Sequence, residues 1–205
     1  TVHLLTDDTG KKDKSLEPTR VNIERHIQRV LDGCRKDDTV ILAFAGHGLQ
    51  FTGQKDAYFC PVDARPFVEK KESLVSISKI YRELEQSLAG VKVIFVDACR
   101  NDPRLSGQKN LKPTEGTKQF ATSLERPPRG ILLLTSCAPG EISMEEKEFG
   151  HGVFMHYVLE GLKGKADANG DRGVSMMEMY LYANNKTKNY VARKFSGWQR
   201  PALKG

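Results

Sequence analysis

Apolar residues along this chain follow two rhythms. Thr39–Ala45, Val91–Val96 and Ile131–Ser136 are short continuous runs, as expected of strands buried on both faces. Between them, apolar positions recur three and four residues apart. Ile23, Ile27, Val30, Leu31 and Cys34 follow a helix start near Pro18 and Thr19, and Ile80, Leu84 and Leu88 follow a Ser78 cap, with Gly90 closing the helix. Two more helices are predicted near Val153–Leu162 and Met176–Phe195. Val2–Thr6 and Ala57–Val62 read as further short strands, with a polar loop around Asp7–Ser15 between the first of these and the first helix. Strands alternating with helices predict an α/β fold around a mostly parallel sheet. No repeat and no domain boundary interrupts it, so residues 1–205 read as one domain.

One segment departs from both rhythms. Asn101–Arg129 is polar, rich in Lys, Pro and Gly, and lacks periodicity, which predicts a long, cleavable loop.

In an open parallel sheet, functional groups gather where strands end at their carboxyl edge. The first long run ends at His47, the second at Cys99, and the third at Ser136 with Glu141 beyond it. A thiol becomes a nucleophile when a neighbouring base favours the thiolate, and a histidine at the end of a nearby strand supplies that base. Gly46 and Gly48 flank His47, letting the backbone approach a substrate and present an N–H to an oxyanion. The other cysteines read differently: Cys34 and Cys60 as small buried hydrophobes, Cys137 as structural or as a pocket wall.

Composition narrows the picture. Of the 205 residues, 39% are hydrophobic and 28% charged, ordinary values for a soluble globular domain. The net charge of +6 is spread along the chain without clustered Lys/Arg and interleaved aromatics, which argues against nucleic acid as a partner. No apolar run reaches the length of a membrane span, so no membrane partner is expected. The four cysteines are widely spaced without a CxxC, which favours reduced thiols and a cytoplasmic location. The chain opens at Thr1 without Met, which predicts residues upstream.

Asp167, Asn169, Asp171, Ser175 and Glu178 match positions 1, 3, 5, 9 and 12 of an EF-hand loop. Arg172 stands where that loop needs Gly, and no pair of EF-hand helices flanks it. A turn that caps the next helix is the commoner explanation, so calcium is a weak expectation and no cofactor is required.

Ala-Gly-His-Gly at 45–48 and Asp-Ala-Cys-Arg at 97–100 resemble the two catalytic motifs of caspase-like cysteine peptidases, the group of metacaspases, paracaspases and their bacterial relatives. His47 and Cys99 are 52 residues apart, and a caspase histidine lies about 50 residues before its cysteine motif. YFCPVDA at 58–64, TSCAPGE at 135–141, GHGVFMHYVLEG at 150–161 and Gln199-Arg200-Pro201 also resemble family segments, in the family's order. The resemblance implies a three-layer caspase-like sandwich with helices on both faces of the sheet. It implies a His47/Cys99 dyad, an oxyanion hole made by the N–H groups of Gly48 and Cys99, and self-processing in a regulated proteolytic, cell-death or defence pathway.

Caspases proper carry Gln two residues before the nucleophile and cut after Asp; here that position is Asp97. Asp97 and Glu141 resemble the acidic first pocket of metacaspases and paracaspases, which implies a protein or peptide substrate with Arg or Lys at P1. Each residue has a plainer reading, Asp97 as a turn cap and Glu141 as an exposed side chain. The family's first strand and helix normally precede the segment resembling Val2–Asp8, so they are expected upstream, on a partner segment or on another subunit. Two other functions compete: a His/Cys peptidase of related fold with another selectivity, and a catalytically idle scaffold that recruits signalling partners.

Overall fold

Successive residues of a pleated strand point to opposite faces, so a continuous apolar run needs cover on both sides. The computed structural model describes residues 1–51, 56–65, 67–99, 124, 126–138 and 141–205, with Val68, Glu69 and Cys99 described by backbone alone. In chain order the strands are β1 (Thr39–Gln50), β2 (Ala57–Cys60), β3 (Val75–Ser76), β4 (Val91–Cys99), β5 (Ile131–Thr135), β6 (Glu145–Glu146), β7 (His151–Gly152) and β8 (Ala202–Lys204). The helices are α1 (Asp7–Lys12), α2 (Arg20–Asp32), α3 (Ile77–Gln86), α4 (Val153–Glu160) and α5 (Met176–Phe195).

Six strands form one sheet in the order β3-β2-β1-β4-β5-β8, and β6 pairs with β7 separately. The sheet is mixed. Its centre is parallel, β1 on β4 and β4 on β5, while β2, β3 and β8 add antiparallel pairs at the sides. On one face α2 and α3 lay Ile27, Leu31, Ile80 and Leu84 against Val40, Phe44, Ile94 and Val96. On the other, α4 and α5 lay Phe154, Val158 and Met179 against Val93, Phe95 and Leu134. Adjacent residues of β4 thus serve opposite cores, which is why its sequence shows no alternation. The result is the expected α/β/α sandwich.

Several local expectations are corrected. Val2–Thr6 forms no strand. A strand needs a ladder partner, and Val2–Thr6 pairs with none of the described strands. Leu5 instead packs against the α2/α3 core. Within the expected polar loop, Asp7–Lys12 is helical, because Thr6 and Thr9 form a capping box ahead of it. The third helix is capped by Ser76 rather than Ser78, its hydroxyl accepting the Lys79 N–H at 3.0 Å. That helix ends at Gln86, which leaves Leu88 64% exposed. Most of the expected loop Asn101–Arg129 lies outside the described residues, which there comprise Leu124 and 126–129.

The largest correction concerns the end of the first apolar run: β1 does not stop at His47 but continues to Gln50. Its ladder to β4 ends at His47 and its ladder to β2 begins there, so His47 is opposite Cys99 on one side and Cys60 on the other. Gly46 takes φ +153°, and a Cβ on it would meet the Phe59 ring at 3.1 Å. Gly46→Ala is therefore expected to destabilise the protein by about 1–3 kcal/mol, read as a lower midpoint in urea unfolding followed by circular dichroism.

Candidate active site

The parallel register between β1 and β4 sets the site. It matches Ala45 with Asp97, Gly46 with Ala98 and His47 with Cys99. Neighbouring strands run about 4.8 Å apart, so the backbones of His47 and Cys99 are side by side at the carboxyl ends of two central strands. Along β4, Asp97 alternates with Phe95 and Val93, the set facing α4 and α5. Gly48, the other expected oxyanion donor, is the next residue of β1 and lies opposite Phe59 of β2.

His47 is half-buried, and its Nδ1 is buried with no hydrogen-bond partner among the described residues. Buried ring nitrogens are ordinarily paired. Among the described residues no carboxylate is paired with this ring.

Asp97 is 5% exposed and lies against the first turn of α4. The helix N-cap is Gly152, which has no side chain to offer. Asp97 substitutes for one by accepting the Met155 N–H, and it also accepts from Ser136 and from Ser143, whose Oγ donates to Oδ1 at 2.6 Å. Burial pushes its carboxyl pKa up, these hydrogen bonds pull it partly back, and the negative charge of Glu145 adds to the rise. Asp97 has no cationic partner among the described residues. Asp97 thus acts as a cap, though of the first turn of α4 rather than of a local turn.

Glu141 is buried, not exposed. It accepts the Arg200 N–H at 2.7 Å and the Ala138 N–H at 3.3 Å, and it is paired with the Arg200 guanidinium. Its charge is therefore answered in part from within the chain. Cys137 is buried between Ser136 and the Glu141 carbonyl, which suits a structural wall.

Three residues near Asp97 carry little signal in the sequence. Ser143 and Glu145 sit in an ordinary polar stretch. Gln199 is visible only within the Gln-Arg-Pro motif, yet its side chain is wholly buried beside Ser136 and Ser143.

A caspase-domain sequence model matches residues 3–205. The chain belongs to the caspase-domain family. That places it among the cysteine peptidases of family C14. No curated protein matches the sequence. Two solved structures share the caspase-like fold. A Geobacter sulfurreducens protein is 17% identical with a TM-score of 0.54, over 91% of this chain and 72% of its own. Caspase-1 from Spodoptera frugiperda is 16% identical with a TM-score of 0.50, over 100% of this chain and 79% of its own.

Other features of this caspase domain are structural. In the loop at 167–178, Asp167 accepts the N–H groups of Gly170 and Arg172, and Asp171 that of Gly173. Glu178 accepts from Ser175 and Ala168 in a capping box at the start of α5. These carboxylates thus accept backbone N–H groups that turn the chain and cap the helix. A concavity lined by Tyr157, Lys186, Tyr190 and Arg193 opens on α5 and includes neither His47 nor Asp97. Among the described residues, no helix is long and apolar enough to cross a membrane.

Gly152 is held by contact rather than by backbone conformation: its φ is −59°, but a Cβ would stand 2.2 Å from Asp97 Oδ2. Gly152→Ala is expected to lower stability by about 1–3 kcal/mol, and much less in an Asp97→Ala background. Urea unfolding of the two single variants and the double variant measures this coupling.

Proposed function

We propose that this caspase domain is a cysteine endopeptidase that uses a His47/Cys99 dyad to cut proteins after Arg or Lys. The in-register pairing of His47 and Cys99 at the ends of neighbouring parallel strands carries the reading. His47 takes the Cys99 thiol proton, and the thiolate attacks the scissile carbonyl carbon. The N–H groups of Gly48 and Cys99 donate to the oxyanion. The C–N bond breaks as His47 returns the proton to the leaving amine. His47 then deprotonates a water, which attacks the thioester and releases the acid and the thiol. Every proton and electron pair comes from the chain, the substrate and water, so no cofactor is needed.

The buried Asp97, with Glu145 adding negative potential, favours a guanidinium or ammonium at P1. Glu141, its charge partly answered by Arg200, is the second carboxylate of this proposed pocket. Self-processing between β4 and β5 is supported by Arg126 and Arg129, both exposed just ahead of β5. The widely spaced cysteines, with no CxxC, suit a cytoplasmic enzyme acting in a regulated proteolytic pathway.

Fluorogenic peptides ending in Arg, Lys or Asp test the reading. Cleavage after Arg or Lys is expected, lost in Cys99→Ala and reduced about 10²–10⁴-fold in His47→Ala. Cleavage after Asp alone would overturn the pocket assignment, and no cleavage at all would favour the idle scaffold. Asp97→Asn should lower kcat/KM for basic peptides about 100-fold or more. Because the Asp97 carboxyl pKa is raised, it takes up a proton at a higher pH than an ordinary carboxylate. On acidification, kcat/KM for basic peptides should therefore begin to fall above the usual carboxylate range, and Asp97→Asn should remove that limb. Intact-mass measurement of wild type and Cys99→Ala tests self-processing; identical masses would sink it.

A further inference from the structure

The polar groups behind Asp97 form a chain with one permitted direction. Gln199 is 0% exposed, and its side-chain amide touches three groups. The Met144 N–H, 2.9 Å away, can only donate, so the amide oxygen must face it. The Ser136 carbonyl, 3.1 Å away, can only accept, so the amide nitrogen must face that side. That nitrogen also lies 3.0 Å from Ser143 Oγ and donates to it. Ser143 therefore has its hydrogen left for Asp97 Oδ1, at 2.6 Å. Two backbone groups thus fix the amide, the amide fixes the hydroxyl, and the hydroxyl fixes one carboxylate oxygen.

We propose that Gln199 is a positioning residue for P1 recognition: by donating to Ser143, it locks the Ser143 hydroxyl as a donor to Asp97 and holds that carboxylate in one orientation. The proposal rests on the reading of Asp97 as the group that meets a basic P1 side chain. The groups facing Asp97 come from every neighbouring element: Ser136 after β5, Ser143 before β6, Gly152 of β7 and the Met155 N–H of α4, with Glu145 the one charged group acting on it among the described residues. His47 and Cys99 follow two positions further along their strands. None of these acts on Ser143 as Gln199 does.

Carbon-13 NMR titration of the Asp97 carboxyl measures the relay without any substrate. Ser143→Ala should raise its midpoint by about one pH unit, and Gln199→Met should raise it in the same direction by less. The double variant should match Ser143→Ala alone, because Gln199 acts only through Ser143. A midpoint unmoved by Gln199→Met, or additive shifts in the double variant, would overturn the proposal. If Gln199→Met does not fold, wild type suffices: the Gln199 side-chain amide resonances should titrate with the Asp97 midpoint, and flat resonances would overturn it equally. With an Arg peptide, Gln199→Met should raise KM about tenfold and change kcat about twofold or less. If the carboxyl titration behaves as expected but Asp97→Asn leaves cleavage after Arg and Lys intact, the relay stands and the P1 reading fails.

Discussion

The parallel ladder between β1 and β4 is the interaction on which the rest of this structure depends. Side-chain direction alternates strictly along a strand, so one residue of slip would move every side chain of β4 to the opposite face. Val93 and Phe95 would leave the α4/α5 core, and Asp97 would leave the first turn of α4. The observed register carries Ala45 opposite Asp97 and His47 opposite Cys99 in a single run of pairs. The apolar residues that stabilise the sheet therefore also set the positions of the polar residues at its end. Stability and site geometry are specified by the same pattern.

Placing a carboxylate where Asp97 lies is unfavourable in itself. Burial raises its proton affinity, and the neighbouring Glu145 raises it further. The surrounding structure offsets this with donors: Ser136, Ser143 and the first-turn N–H of Met155. Gly152 contributes by absence, since any side chain there would occupy the volume of Oδ2. Glu141 is treated differently. It receives its cation from within the chain, through Arg200. Two carboxylates that look equivalent in sequence thus differ in kind, one with an internal counter-ion and one held, among the described residues, by neutral donors.

Much of this was legible because it depends on local pattern. The three central strands are marked by apolar runs, and α2 by periodicity after a start near Thr19. What could not be read depends on partners distant in sequence. β1 passes straight through His47 because β2 takes over its edge there, and nothing within 46–48 announces a change of partner. Val2–Thr6 has strand composition but no ladder, and composition does not supply one. Ser143 reaches Asp97 across 46 residues and Gln199 reaches Ser143 across 56. A polar side chain has no periodicity, so such pairs leave no trace until the chain is folded.

The same long-range pairs decide what a cut between β4 and β5 would do. Asp97 and Cys99 lie before that connection, while Ser136, Ser143 and Gln199 lie after it. The two sides are joined by five in-register pairs between β4 and β5. They also share the core in which Val93 and Phe95 of β4 meet Phe154, Val158 and Met179. Severing the connection removes none of these contacts, and the hydrophobic surface they bury would be exposed if the pieces parted. The pieces should therefore stay together, with the carboxylate and its supporting hydroxyls still in register. A cut there would leave Asp97 anchored from behind by Ser136 and Ser143, so a site built across the connection would outlast it.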